Sequence, residues 1–169
     1  MSLFNRNLDS EEKLLGLIGN CIQNGNVNGR KKLMKLVFFM EYLDFEENRL
    51  STDTGWGDFD FIIYSYGPFS HDVMDDFDEL KEKEWIEEKR DFMGYSIELT
   101  EDGRKKLDSL EDKLEEDEIE RLDKLCDRFS NKNGGSLERK SLEYLGITKE
   151  EKSDFMGTPV EVIISEEPA

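Results

Sequence analysis

One stretch constrains the fold more than any other. KKLMKLVFFMEYLDFEE, Lys31 to Glu47, places Leu33, Met34, Leu36, Val37, Phe38, Phe39, Met40 and Leu43 on nearly every face of the helix it predicts. A helix that is apolar all round has no face for water, so it must be the central element of a core that other segments wrap. A chain of 169 residues supplies enough wrapping for one such core, which would remove roughly 70% of the unfolded surface from water.

The remaining segments read as that wrapping. Asp9 to Glu12 fits a capping box, and Leu14, Leu15, Ile18, Cys21 and Ile22 recur at helical spacing as far as Gly25. Beyond the core helix, Phe59, Phe61 and Ile63 alternate with Asp60, Ile62 and Tyr64, the two-residue period of a strand over 58–64, which Tyr66-Gly67-Pro68-Phe69 ends sharply. Ser70 can cap a helix running to about Lys83 with Val73, Phe77 and Leu80 buried. Trp85 to Glu88 and Tyr95 to Leu99 then read as a hairpin with the tip KRDFMG.

Thr100 caps a helix carrying Leu107, Leu110 and Leu114, and a phase slip puts a break near 116–118, before Ile119, Leu122, Leu125, Cys126 and Phe129. Leu137, Leu142 and Leu145 make a short helix ending at Gly146, Thr148 to Glu151 is a second capping box, and Val160 to Ile164 suits a terminal strand. The pattern predicts an α+β fold, mostly helical and winged-helix-like. Its small antiparallel sheet, made of the 58–64 strand and the 85–99 hairpin, packs on a helical core. Residues 1–115 form that core and 116–169 a C-terminal helical extension on the same domain.

Charge narrows the function. Asp plus Glu number 41 against 23 Lys plus Arg, a net charge of −18, which repels phosphate backbones and anionic headgroups. No run of 18 apolar residues and no apolar signal core occurs, so a membrane span and export are not expected and a cytoplasmic location is. There, Cys21 and Cys126 at apolar helical positions read as buried free thiols.

No enzyme constellation emerges. His71 is the only histidine, and its neighbour Ser70 diverges from it in the chain. Asp58 and Asp60 lack a third ligand at metal-binding spacing, and NGNVNGRKK lacks the ending and the preceding strand of a phosphate loop. Neither cofactor nor metal is expected.

A rival class is a winged-helix transcriptional regulator, because Leu99-Thr100-Glu101-Asp102-Gly103-Arg104 follows the hairpin as it would follow a wing. The helix that would enter the DNA groove, Ser70 to Lys83, holds six acids and two bases, which forfeits counterion release. The one basic concentration is Arg30, Lys31, Lys32 and Lys35, at the unfavourable end of a helix dipole. It reads as a solvated face or as a contact for a partner. The densest acidic run, Glu111 to Asp123, reads as a solvated face or as a surface that steers a basic protein.

KLMKLVFFMEYL (32–43) resembles the "KLxKLlYFa" helix, and Tyr66-Gly67-Pro68 the "YGP" turn followed by a helix, of the SocA-like antitoxin family with the Panacea domain. The similarity spans roughly residues 10 to 110 and includes LTEDGRKKL at 99–107; Phe38 stands where the family often has Tyr. The resemblance implies a non-catalytic, phage- or mobile-element-associated protein that neutralises a co-encoded toxin by direct contact. One kind in that family also delivers its toxin to a protease. Lys31, Lys32, Lys35, Tyr64, Tyr66, Gly67, Pro68 and Phe69 are the candidate partner-binding residues.

Overall fold

The computed structural model describes residues 8–23, 27–91 and 94–166. At its centre lies α2, Arg30–Tyr42, with every residue from Lys32 to Tyr42 buried. The helix is shorter than the pattern suggests. Its apolar run ends at Leu43, where the chain turns extended and β1 (Leu43–Asp44) pairs with β2 (Arg49–Leu50), Asn48 taking a left-handed φ of 53° between them.

The first helix, α1 (Ser10–Gln23), starts at the predicted capping box: Asp9 Oδ1 accepts from the Glu12 N–H and Glu12 Oε1 from the Asp9 N–H. Two further predicted caps hold. Ser70 accepts from the Val73 N–H at the start of α3 (His71–Glu82), and Thr100 from the Gly103 N–H at the start of α4 (Glu101–Glu111). The break comes at 112–115, slightly before the phase slip suggests, and α5 (Glu116–Phe129) opens on a capping box between Glu115 and Glu118. α6 (Gly134–Leu145) ends at Gly146 in the left-handed conformation, and the second predicted box, Thr148 with Glu151, leads into a short 3-10 turn at Lys152–Phe155.

The mostly helical α+β architecture is as expected, but the strands pair differently. β3 (Ile62–Tyr64) pairs with β4 (Gly67–Phe69), and β5 (Ile86–Asp91) only with β6 (Gly94–Leu99), so the 58–64 strand does not join the hairpin. The hairpin docks instead through the Ile97 N–H on the Val27 carbonyl. Residues 92–93 of the hairpin tip and 24–26 of the first turn lie outside the described residues.

The C-terminal strand expected at 160–164 is a helix, α7 (Val160–Glu166). Strand-like pairing falls one step earlier: Ile63 donates to the Thr158 carbonyl, Gly157 to the Ile63 carbonyl and Val160 to the Phe61 carbonyl, so residues 157–160 run along the edge of β3. An uncovered strand edge exposes unpaired backbone groups, and this segment covers it.

Four helices pack on α1 (α2, α3, α4 and α5), while α5 and α6 clasp α2. Side-by-side packing of α1 and α5 brings the Cα atoms of Cys21 and Cys126 to 5.1 Å, and the two are disulfide-bonded. This corrects the expectation of free thiols. The residues stand 105 apart in sequence, and only the packing of two helices reveals that they meet.

The C-terminal end of α2 is held by charge as well as by apolar contact. Arg121 of α5 donates from Nη2 and Nε to the Met40 carbonyl (2.6 and 3.1 Å), supplying donors at a helix end, and from Nη2 to the Phe39 carbonyl (3.2 Å), which also accepts from the Leu43 N–H. Burial lowers its pKa to about 10. Glu41, also buried, accepts from the N–H groups of Trp56, Gly57 and Phe59, which folds the loop after β2 back onto α2. Trp56 in turn donates from Nε1 to Glu118 at 2.9 Å. No helix among the described residues is long and apolar enough to cross a membrane.

Candidate functional site

The Tyr64–Phe69 hairpin gathers most of the candidate residues. Register places Ile63 opposite Pro68 and Tyr64 opposite Gly67, so Ile63 and Pro68 face the core while Tyr64 and Phe69 share the outer face. Gly67 takes a φ of +87°, a left-handed position that closes short hairpins and that residues with a Cβ resist. A Cβ at Gly67 would meet Glu138 Cγ at 3.4 Å, Ser141 Oγ at 3.5 Å and Lys35 Cε at 3.6 Å, ordinary contact distances, so the backbone conformation and not space is what favours glycine.

Three lysines clamp the turn. Lys35 Nζ donates to the Pro68 carbonyl at 3.0 Å, Lys152 Nζ to the Ser65 carbonyl at 2.6 Å, and Lys31 Nζ lies 4.8 Å from the centre of the Tyr66 ring. Lys31 also pairs with Glu138 of α6 at 3.2 Å. Burial is the main reason that the Lys35 pKa falls to about 8; Glu138 opposes the fall, and Lys31 and Lys152 add to it.

Lys32 and Lys35 are each 2% exposed, so the basic concentration at the start of α2 is not an open patch. Lys32 donates into the interior to the Ser130 carbonyl. Arg30 forms a two-pronged pair with Glu88 of β5 (3.0 and 2.7 Å), which Lys81 joins at 2.7 Å, and together they hold the Glu88 carboxyl down to about 2. Each of the four cations thus ties a different element to α2. Asp58, one of the two acids weighed as a cation pair, binds the buried Lys13 at 2.5 Å. Among the described residues no group of three His, Cys, Asp or Glu side chains is arranged to hold a metal ion.

What the hairpin offers to solvent is aromatic. Tyr64 is 48% and Tyr66 65% exposed. Half-buried Phe69 lies 5.5 Å from the Tyr64 ring and 4.9 Å from the His71 ring. Met156 is exposed beside Gly157, which bonds to the end of β3. Rigid, part-exposed aromatic side chains carry large contact area at low entropic cost, the composition of energetic centres in protein interfaces. By contrast, Asp72, Asp75, Asp78, Glu79 and Glu82 of α3 are exposed, so the helix before the wing-like hairpin presents acid to solvent.

Of the candidates, Lys31, Tyr64, Tyr66 and Phe69 meet at this face with accessible atoms, while Lys32, Lys35, Gly67 and Pro68 lie beneath or behind it. The sequence reading missed Glu138, Ser141, Lys152 and Met156. These come from segments roughly 70 to 90 positions downstream, and no spacing signal links them to the turn.

Comparison with known families gives one match: the model for the SocA-like antitoxin, Panacea domain, fits residues 33–144. No curated protein and no solved structure matches the chain.

Proposed function

The chain belongs to the SocA-like antitoxin family with the Panacea domain, and from that membership we propose that it is a non-catalytic antitoxin that neutralises a co-encoded toxin by direct contact. The observation that carries this reading is the clamped aromatic hairpin. A turn held by Lys31, Lys35 and Lys152 keeps Tyr64 and Tyr66 in place while leaving about half or more of each in solvent. Such anchors contribute affinity, and a net charge of −18 steers a basic partner and makes the encounter salt-sensitive. Lys31, Tyr64, Tyr66 and Phe69 then contact the toxin, and Lys32, Lys35, Gly67 and Pro68 position them. The setting we propose is cytoplasmic and associated with a phage or mobile element; there the Cys21–Cys126 bond, with both residues fully buried, is shielded from soluble reductant.

The regulator reading finds less support. Lys32 and Lys35 are enclosed, Arg30 is paired with Glu88, and the helix before the wing-like hairpin is acidic, so phosphate contacts lack a coherent surface.

Co-expression with the product of the adjoining open reading frame tests the proposal. Growth rescue and a salt-sensitive complex are expected with the native chain, and both should be lost with Tyr64→Ala plus Tyr66→Ala while the melting temperature holds. Absence of rescue and of any complex with the native chain would defeat it. A gel shift with upstream DNA, unaffected by Tyr64→Ala plus Tyr66→Ala, would favour the regulator.

A further inference from the structure

A second surface lies away from the hairpin, where α1, α4 and α5 meet. A groove of about 320 Å³ opens there, floored by Gly16 and Gly19 of α1 and walled by Leu107, Leu114, Ile119 and Leu122. The α5 residue Ile119 is 37% exposed, one of the few large apolar side chains so placed among the described residues. Glu111 and Asp123 stand at the rim, and no Lys or Arg lines the groove.

Glycine is a poorer helix former than alanine, so two glycines inside one helix call for a reason. The structure accounts for one of them. A Cβ at Gly19 would sit 2.4 Å from Leu107 Cδ2, so the Leu107 side chain of α4 occupies the space a larger residue would need and would have to shift. A Cβ at Gly16 would meet no atom within 4 Å. Nothing inside the fold uses the space above Gly16, and removing its side chain deepens the groove.

We propose that this groove docks a basic amphipathic segment of a protein partner, whose large apolar side chain enters over Gly16 while flanking lysines or arginines meet Glu111 and Asp123. Charge complementarity selects that occupant. Both rim residues are acidic, neither has a Lys or Arg within ion-pair distance among the described residues, and the densest acidic run of the chain surrounds them. An acidic or purely polar segment would be repelled at the rim or leave the apolar walls unfilled. The inference does not require the partner to be a toxin and stands apart from the aromatic hairpin.

A fluorescent leucine/lysine amphipathic peptide is the probe, with a charge-matched control in which glutamine replaces every leucine. The native chain should bind the amphipathic peptide at least about tenfold more tightly than the control. Gly16→Leu, which fills the groove with a better helix former, should leave the melting temperature unchanged or higher and weaken binding by about tenfold. Ile119→Lys, on the surface, should weaken it comparably and covers the case in which Gly16→Leu disturbs the fold. Asp75→Asn with Glu79→Gln on α3 removes two charges elsewhere and should leave binding nearly unchanged. Equal affinity for both peptides, or binding indifferent to both groove variants, would overturn the proposal. So would a concentration-dependent dimer abolished by Gly16→Leu, because the groove would then belong to a second copy of this chain.

Discussion

The basic start of α2 and the acidic surface built by α1, α4 and α5 carry opposite charge and are used in opposite ways. Arg30, Lys31, Lys32 and Lys35 fasten α2 to β5, α6, the end of α5 and β4 respectively. A lysine can do this from the interior because its long apolar stem packs while its ammonium reaches a carbonyl. The carboxylates are shorter and more strongly hydrated, so most stay in water. Glu41 and Glu118 are buried exceptions that show the condition, since three backbone N–H groups receive Glu41 and the Trp56 indole donates to Glu118. A cluster of like charge in the sequence therefore does not reveal whether it faces a partner or the core. On the acidic side, where the charges themselves repel, α1 and α5 are joined by Cys21–Cys126.

Removing that bond is the strongest way to break the contrast. A bridge closing a loop of 105 residues should contribute about 4 to 5 kcal/mol by restricting the unfolded chain. Cys21→Ser with Cys126→Ser should therefore show a much lower denaturation midpoint than the oxidised native chain, and should match the native chain measured with reductant. Equal midpoints for all three would show that the bond does not tie α1 to α5.

Next in size is charge reversal at the basic start of α2. Lys35→Glu leaves an unpaired buried charge beside Glu138 and should cost about 3 to 5 kcal/mol in urea unfolding. Asp108→Lys with Asp127→Lys, exposed residues in the C-terminal halves of α4 and α5, should change stability by no more than about 0.5 kcal/mol. Similar costs for the two would erase the distinction between the regions.

Acidity separates two buried or partly buried carboxylates. The Glu41 pKa is pushed up to about 7 by burial, against backbone hydrogen bonds that pull it down. The folded chain then holds a proton that the unfolded chain has released, so this stabilising contribution is complete below pH 4.5 and is lost as pH rises through 7. Glu88 acts in the other window: held down to about 2 by Arg30 and Lys81, it stabilises above pH 4.5 and its contribution disappears as pH falls through 2. The unfolding free energy from urea titrations should fall between pH 5 and 7 by on the order of 2 kcal/mol, and that slope should flatten in Glu41→Gln. An unchanged slope in the variant would assign the pH dependence elsewhere.

The smallest effect sharpens the site itself. Gly67→Ala forces a Cβ onto a left-handed backbone beside Glu138 and Ser141, costing about 1 to 2 kcal/mol. A cost near zero in thermal unfolding would mean that the turn relaxes freely and does not fix Tyr66.

The helix-forming information was largely local and therefore legible. Ser70, Thr100, Asp9 with Glu12 and Thr148 with Glu151 all cap where their side chains can reach the next turn, because a cap depends only on neighbours in sequence. Strand partnership was not legible. The alternation through Ile63 gives the buried face of β3, but nothing in that alternation distinguishes the 67–69 segment, with which β3 pairs, from the 86–99 hairpin. Non-local dependence also hid the buried ends of Lys32 and Lys35, the meeting of Cys21 with Cys126, and the helical form of Val160–Glu166. Tyr64, Tyr66 and Phe69 could be picked out from the turn chemistry around them, whereas Glu138 and Lys152 reach it only through tertiary packing.

Hydrogen exchange of the chain with and without the co-encoded protein tests the central claim most directly. The account predicts slowed exchange across residues 62–69, where the clamped turn presents its aromatic side chains. Saturating complex formation with exchange in that segment unchanged would contradict it.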